Sequence, residues 1–448
     1  MKKVVKFGGS SLADAAQAAK VGEIIRADED RRYVVPSAPG KRFDGDMKVT
    51  DLLYECYDLA ARGQNFYEPF LAVKDRYSEI IQGLELNLSL AEEFKAIEEA
   101  LLRNPQRDYA ASRGEYLSGL VLANYLGYPF IDSAEAIFFD EEGRFDAERT
   151  NRILGERLTD METAVIPGFY GGNPDGSIRT FSRGGSDITG SIVARGCRAA
   201  VYENWTDVSG LLMADPHIVS SPEVIRNITY RELRELAYMG ATVMHEDAIF
   251  PVKKAGIPIN IRNTNQPDDP GTWIVENTAR RSRYTITGIT GRKDFCSIMI
   301  AKDLMHSEVD FYRKVVQCFE ENGIPLEHLP SGIDTMTVVV QEGKFIEKEQ
   351  RVLARIHQLV DPDMLEVESG LALIAVVGRS MKSQTGTAAR VFSALARARI
   401  NVRMIDQGAS ELNIIVGVLN EDFERAIRSI YHVFVDRTPE EDDPFLGD

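Results

Sequence analysis

From Val4 the chain runs Val4-Val5-Lys6-Phe7-Gly8-Gly9-Ser10-Ser11, and the fold follows from how these residues are taken. The first four make a short, mostly apolar run of strand length, and two adjacent glycines stop it. An alanine-rich stretch from about Asp14 to Arg26 then predicts a helix. Strand, glycine turn and helix in that order make a place for an anion. Adjacent glycines leave amide N–H groups open to close approach, and the helix start adds its dipole. Lys6 would stand beside this nest as a point charge for phosphate. The spacing matches neither a Walker A loop nor a dinucleotide fingerprint. The plainer alternative is a tight strand-to-helix turn with a surface lysine.

The same alternation extends through about residue 280. Tyr33-Val34-Val35 predicts a second strand, broken by Pro36, and helical patterns follow over 50–62, 66–82, 90–103 and 112–126. Pro129-Phe130-Ile131 reads as a strand. Runs at 163–169 and 178–181 flank the turn signal Gly172-Asn173-Pro174-Asp175-Gly176, which predicts a hairpin. Strand, helix and strand follow at 200–202, 230–239 and 257–261. Strands alternating with helices imply an α/β fold with a mostly parallel sheet between helices. Residues 263–271 are a loop by composition. Beyond about 285 the units shorten: strand, helix, strand at 297–301, 309–321 and 336–340, then strand, helix, strand, strand, helix at 371–377, 387–398, 402–405, 413–418 and 423–433. Two β-α-β-β-type units in tandem fit a small two-part module. The acidic tail from Pro439 reads as poorly ordered.

Composition narrows the partners. Across 448 residues, 52 Lys and Arg oppose 69 Asp and Glu, a net −17. Nucleic acid and anionic membranes need a basic face, so neither is expected as the main partner. A local basic pocket for a small anion stays compatible with that total. No signal peptide or 18-residue apolar stretch is found. Cys56, Cys197, Cys296 and Cys318 form no Cys-x-x-Cys, which suits free thiols in a reducing cytoplasm. The six histidines lack metal-ligand spacing, so no metal-binding side chains are assigned.

Two further polar loops lie where ligands bind open parallel sheets, beyond the carboxyl ends of strands. Arg183-Gly184-Gly185-Ser186-Asp187 offers a carboxylate clamp, a hydroxyl and an orienting charge; an Asp helix cap after a flexible turn is the alternative. Thr206-Asp207-Val208-Ser209-Gly210 with Ala214-Asp215-Pro216 follows the strand at 200–202. The three loops together predict one phosphate-handling site.

In this order, these motifs resemble aspartate kinase of the amino-acid kinase superfamily. Ser37-Ala38-Pro39-Gly40, Thr50-Asp51-Leu52-Leu53, Gly114-Glu115 and Gly240-Ala241 with His245 match its catalytic domain. Val377-Gly378, Met381, Gly386, Ile400-Asn401-Val402 and Gln407-Gly408-x-Ser410-Glu411-x-Asn413 resemble its last ACT domain. The resemblance implies a catalytic domain over 1–280 and two ferredoxin-like ACT domains over 285–365 and 366–440, with interleaving allowed. It also implies transfer of the ATP γ-phosphoryl group to the β-carboxylate of L-aspartate with Mg²⁺, the first step toward lysine, threonine and methionine.

By carry-over, Lys6 is the transition-state cation, Asp187 the organising carboxylate, and Gly8, Gly9 and Ser10 cradle phosphate. Arg183 would grip a substrate carboxylate and Glu115 the α-ammonium, with hydroxyls from Thr50 and Ser186. Taken alone, Glu115 also reads as a first-turn dipole partner and Thr50 as an N-cap. Thr206, Asp207 and Asp215 fall where the family binds nucleotide. The chain departs there: Leu212 replaces a usual Tyr, His217 a usual Arg, Thr242 a Lys, and His245-Glu246 a His-Pro. The link 41–49 is longer than usual and basic (Lys41, Arg42, Lys48), which suggests that it replaces missing cations. Met305, His306, Ser307 and Asp310 open a helix fit for an effector carboxylate, and Glu327 and Asp334 would take its ammonium. Lysine is the first expected effector and threonine the second. ACT sheet pairing implies a homodimer or a dimer of dimers, and the chain end leaves no room for a fused dehydrogenase. Two alternatives stand beside this: a kinase for another acid such as glutamate, and an inactive amino-acid sensor.

Overall fold

The computed structural model describes residues 1–182, 184–241, 244, 246–278 and 283–436. The expectations for Arg183, Thr242, His245 and the acidic tail lie outside them. The chain divides into two compact units, Met1–Leu211 with Val224–Arg231 and Thr242–Ala279, and Leu212–Glu223 with Glu232–Ala241 and Arg280–Asp448.

The first unit is built on a seven-stranded sheet. In chain order its strands are β1 (Lys3–Phe7), β2 (Arg31–Pro36), β3 (Ala164–Val165), β6 (Val201–Thr206), β7 (Asn227–Thr229), β8 (Ile259–Asn263) and β9 (Thr272–Val275), while β4 (Tyr170–Gly172) and β5 (Ile178–Thr180) form a separate hairpin. The spatial order is β3-β2-β1-β6-β8-β9-β7. Neighbours are parallel except β8 and β9. β1 lies inside the sheet with Val4, Val5 and Phe7 fully buried, as a near-continuous apolar run requires when both faces are covered. Phe7 stacks on Trp205 of β6 at 5.9 Å between ring centres.

Helices Ala15–Arg26, Val49–Ala61, Tyr67–Gly83, Ala91–Arg103 and Arg107–Leu126 share one core with β1. The last is buried along most of its length, and its small residues permit this. A Cβ on Gly114 would stand 2.7 Å from Ala38, and one on Gly119 would stand 2.8 Å from Phe130. That close seat brings Glu115 beneath the loop after β2.

Three local expectations need correction. Pro36 does not break the second strand; it is the last residue of β2, where its carbonyl accepts from the Gly168 amide and no N–H is needed. Phe130 makes only an isolated bridge to Val165. The hairpin's first arm is β4, while β3 joins the main sheet, because Ala164 and Val165 are fully buried beside β2. The helix Ala147–Thr159 was legible but unread: Thr150, Leu154 and Leu158 recur at four-residue spacing and are all buried.

The second unit holds one antiparallel sheet. Its strands β10 (Gly288–Ala301), β11 (Leu326–His328), β12 (Thr335–Gln341), β13 (Met364–Val377), β14 (Met404–Asp406) and β15 (Asn413–Leu419) lie in the order β11-β12-β10-β13-β15-β14. β10 and β13 pair along nearly their whole length. Residues 295–301 and 364–371 serve the first half-module, and 288–292 complete the second, so the halves interleave. The sequence pattern showed only the apolar end of each long strand. Exposed Lys293 and Asp294, with a register shift between Arg292 and Phe295, hide the continuity of β10.

Candidate active site

Lys6 is the penultimate residue of β1 and is 7% exposed. Its Nζ lies 2.6 Å from Asp187 Oδ1. Asp187 is the third residue of the helix Gly185–Gly196, so it is not an N-cap; Gly184, at φ +74°, holds that position. A side chain there would meet the left-handed penalty of about 1–2 kcal/mol. Asn204 lies opposite Lys6 on β6. Its Nδ2 donates to Asp187 Oδ1 at 3.0 Å, and its Oδ1 accepts from Lys6 at 3.5 Å. Tyr202 donates to the Asp187 backbone carbonyl at 3.1 Å. A buried cation paired and hydrogen-bonded in this way is fixed in place, which suits a preorganised electrostatic role.

The glycine turn after β1 divides its labour. The Gly8 amide donates to the Trp205 carbonyl at 3.0 Å and continues the sheet ladder, so it is committed to structure. Gly9 opens the turn Gly9–Leu12, whose first amides have no acceptor within the turn. The Gly40 amide donates to the Gly9 carbonyl at 2.8 Å. A Cβ on Gly9 would stand 2.9 Å from the Ala38 carbonyl oxygen, and one on Gly40 would stand 2.7 Å from the Gly9 carbonyl carbon. Both glycines are needed for backbone contact between the two loops. Arg76, 3% exposed, clamps the second loop, donating to the Gly40 carbonyl at 2.9 Å and to Asp46 at 2.8 Å. Asp46 and Glu79 occupy Arg42, at 3.0 and 2.9 Å. Lys41 and Lys48 remain exposed.

Glu115 sits well inside the helix Arg107–Leu126, which begins earlier than the sequence suggested, so it is not a first-turn residue. It is 5% exposed, and burial pushes its carboxyl up to about 8 despite the Ala38 amide, Ser186 and the Lys6 charge. Ser186 Oγ donates to Glu115 Oε1 at 3.5 Å, while Oε2 is buried without a hydrogen-bond partner among the described residues. Thr50 is the second residue of the helix Val49–Ala61, whose N-cap is Lys48. At the end of β6, Thr206 donates to Asp207 at 3.1 Å. Leu212, Asp215 and His217 belong to the second unit, where Asp215 accepts from the His217 amide at 2.8 Å and caps its own turn.

In the second unit, Met305 and Ser307 form a single turn ahead of the helix Phe311–Glu320. Met305 is fully buried. Asp310 pairs with Lys314 at 3.1 Å, and that bond holds its carboxyl below the usual range. His306 lies 3.7 Å from Asp334, whose backbone carbonyl accepts from Lys302. Asp334 Oδ1 has no hydrogen-bond partner, whereas Glu327 accepts from Tyr238 at 2.7 Å.

Comparison with known proteins gives the family. Residues 1–263 match the amino acid kinase family and residues 374–434 an ACT domain. Aspartokinase 3 of Bacillus subtilis (strain 168) is 40% identical, over 96% of this chain and 98% of its own. The chain belongs to the aspartate kinases of the amino acid kinase family. The crystal structure of Clostridium acetobutylicum aspartate kinase is 48% identical with a TM-score of 0.88, covering 97% of this chain and all of that one. The structure of E. coli aspartokinase III in complex with aspartate and ADP, 24% identical with a TM-score of 0.72 over 97% of this chain and 99% of that one, shares the fold.

This aspartate kinase is therefore a phosphotransferase with a carboxyl group as acceptor, followed by an ACT regulatory module. Asn204 and Arg76 were not foreseen. Two adjacent polar residues, Glu203 and Asn204, between Tyr202 and Trp205 in a central strand were the available signal for Asn204. Arg76 lay unmarked in a charged helix, because only the fold brings it to the Gly40 loop.

Proposed function

We propose that this enzyme transfers the ATP γ-phosphoryl group to the β-carboxylate of L-aspartate, with Lys6 as the cation that offsets charge at the moving phosphorus. The observation that carries the reading is the Lys6–Asp187 pair, 2.6 Å apart and fixed by Asn204 beside the Gly9–Gly40 contact. The nucleophile is a carboxylate already ionised at neutral pH, so no general base is required. The work is to bring two anions together and to neutralise charge. On this reading Gly9 and Ser10 supply amides to the phosphates, with Gly8 shaping the turn. Glu115 receives the α-ammonium, Ser186 and Thr50 contribute hydroxyls, and Arg183 grips a carboxylate. Thr206 and Asp207 belong to the nucleotide side.

Among the described residues no group of three or more His, Cys, Asp and Glu could hold a metal ion. Mg²⁺ fits as an ion carried on the nucleotide phosphates with one or two carboxylates, where it would neutralise their charge.

In the ACT module, Met305, Ser307, Asp310 and Asp334 would receive an amino-acid effector, lysine before threonine. Glu327 would have to give up Tyr238 to join them. E. coli aspartokinase III has been crystallised in complex with lysine and aspartate. The module also supports a homodimer or dimer of dimers. The test is hydroxamate formation from ATP, Mg²⁺ and hydroxylamine with aspartate or glutamate as acceptor, with and without lysine or threonine. Product from aspartate alone, suppressed by lysine, supports the reading. Product from glutamate, or from neither acid, overturns it.

A further inference from the structure

A cavity of about 730 Å³ opens in the first unit at the end of β1 opposite Lys6. Lys2, the residue before β1, is on its wall, as are Arg195 and Arg198, at and just beyond the end of the helix whose first turn holds Asp187. Arg152 and Glu156 line it from the helix Ala147–Thr159. Four cations thus face one carboxylate, a local charge of 4 − 1 = +3 in a chain of net −17.

Helix ends often carry cations that satisfy their last carbonyls, and Lys2 does this by donating to Leu158 at 3.3 Å. Arg195 and Arg198 do not: neither has a side-chain hydrogen bond or ion pair among the described residues. Arg198 also holds φ +50°, a position after a helix that usually goes to glycine. Among the described residues Glu156 pairs only with Arg152, at 3.6 Å. The site has the volume of a small-molecule pocket and a surplus of unpaired guanidinium groups.

We propose that this cavity binds a small multivalent anion, bearing two or three carboxylate or phosphate groups, at a site separate from the Lys6 centre. Arg195 and Arg198 supply planar donor pairs and Lys2 a point charge. The volume exceeds what a single inorganic phosphate fills and suits an anion with two or three such groups. The proposal does not depend on the roles assigned around Lys6.

Calorimetric titration of the full chain at low ionic strength, with citrate and with inorganic pyrophosphate as probes, tests it. The expected result is one-site binding of at least one probe. Affinity should fall at least tenfold in the Arg195→Gln/Arg198→Gln double variant and hold within twofold in Lys6→Ala. A preference for citrate would mark carboxylates as the ligand groups, and one for pyrophosphate would mark phosphates. The double variant should keep its far-ultraviolet circular dichroism and basal aspartate kinase activity. Unchanged affinity in the double variant, loss in Lys6→Ala alone, or no saturation by either probe up to about 10 mM overturns the proposal.

Discussion

Replacing Glu115 with glutamine should stabilise the catalytic unit and weaken aspartate binding in one step. The carboxyl is 5% exposed, and burial raises it from 4.5 to about 8. The folded chain therefore holds this proton more tightly than the unfolded chain. Stability tied to the group is full below pH 4.5 and is lost as pH rises through about 8. Each pH unit between those values costs about 1.4 kcal/mol, so the wild type loses about 3 kcal/mol by pH 7. The Glu115→Gln variant does not titrate and keeps that stability. Urea unfolding followed by tryptophan emission is the assay, since Trp205 and Trp273 both lie in the first unit. The gap between variant and wild type should widen by about 3–4 kcal/mol from pH 5 to pH 8.5. A gap that stays flat, or widens toward acid, refutes the reasoning. The same proton opposes an α-ammonium, so wild-type KM for aspartate should fall about tenfold or more from pH 6.5 to 8.5. The variant should show a high KM without that slope.

Three further outcomes follow from neighbouring groups. Arg76→Met removes the donor to the Gly40 carbonyl and one of the two guanidinium groups on Asp46, which keeps Arg42, and should destabilise the chain by about 1.5–3 kcal/mol in urea titrations while raising KM for ATP. Gly9→Ala drives a methyl against the Ala38 carbonyl and should lower kcat at least tenfold with little change in circular dichroism, whereas Gly343→Ala, with open space around it, should leave kcat unchanged. Because Asp46 and Glu79 already occupy Arg42, any cation replacement in the long link falls to Lys41 and Lys48. The Lys41→Ala/Lys48→Ala variant should raise KM for ATP several-fold, and an unchanged KM removes these lysines from the nucleotide side.

The alternation of strands and helices was legible because buried parallel strands are short apolar runs and glycines mark their ends. Lys6, Glu115 and Asp187 could be named from their motifs. Their environment could not. Nothing local says that Glu115 is buried, since that follows from Gly114 and Gly119 seating the helix against Ala38 and Phe130. The commitment of Gly8 to the ladder depends on Trp205, nearly two hundred residues away. The ACT strands were found at half length because exposed Lys293 and Asp294 interrupt the apolar pattern of β10 while its pairing continues.

The account stands on the Lys6 ammonium, and the β-aspartyl hydroxamate rate of Lys6→Ala measures it directly. With aspartate and nucleotide saturating, and circular dichroism unchanged, kcat should fall by about 10²–10³. A variant that turns over as fast as the wild type would contradict it.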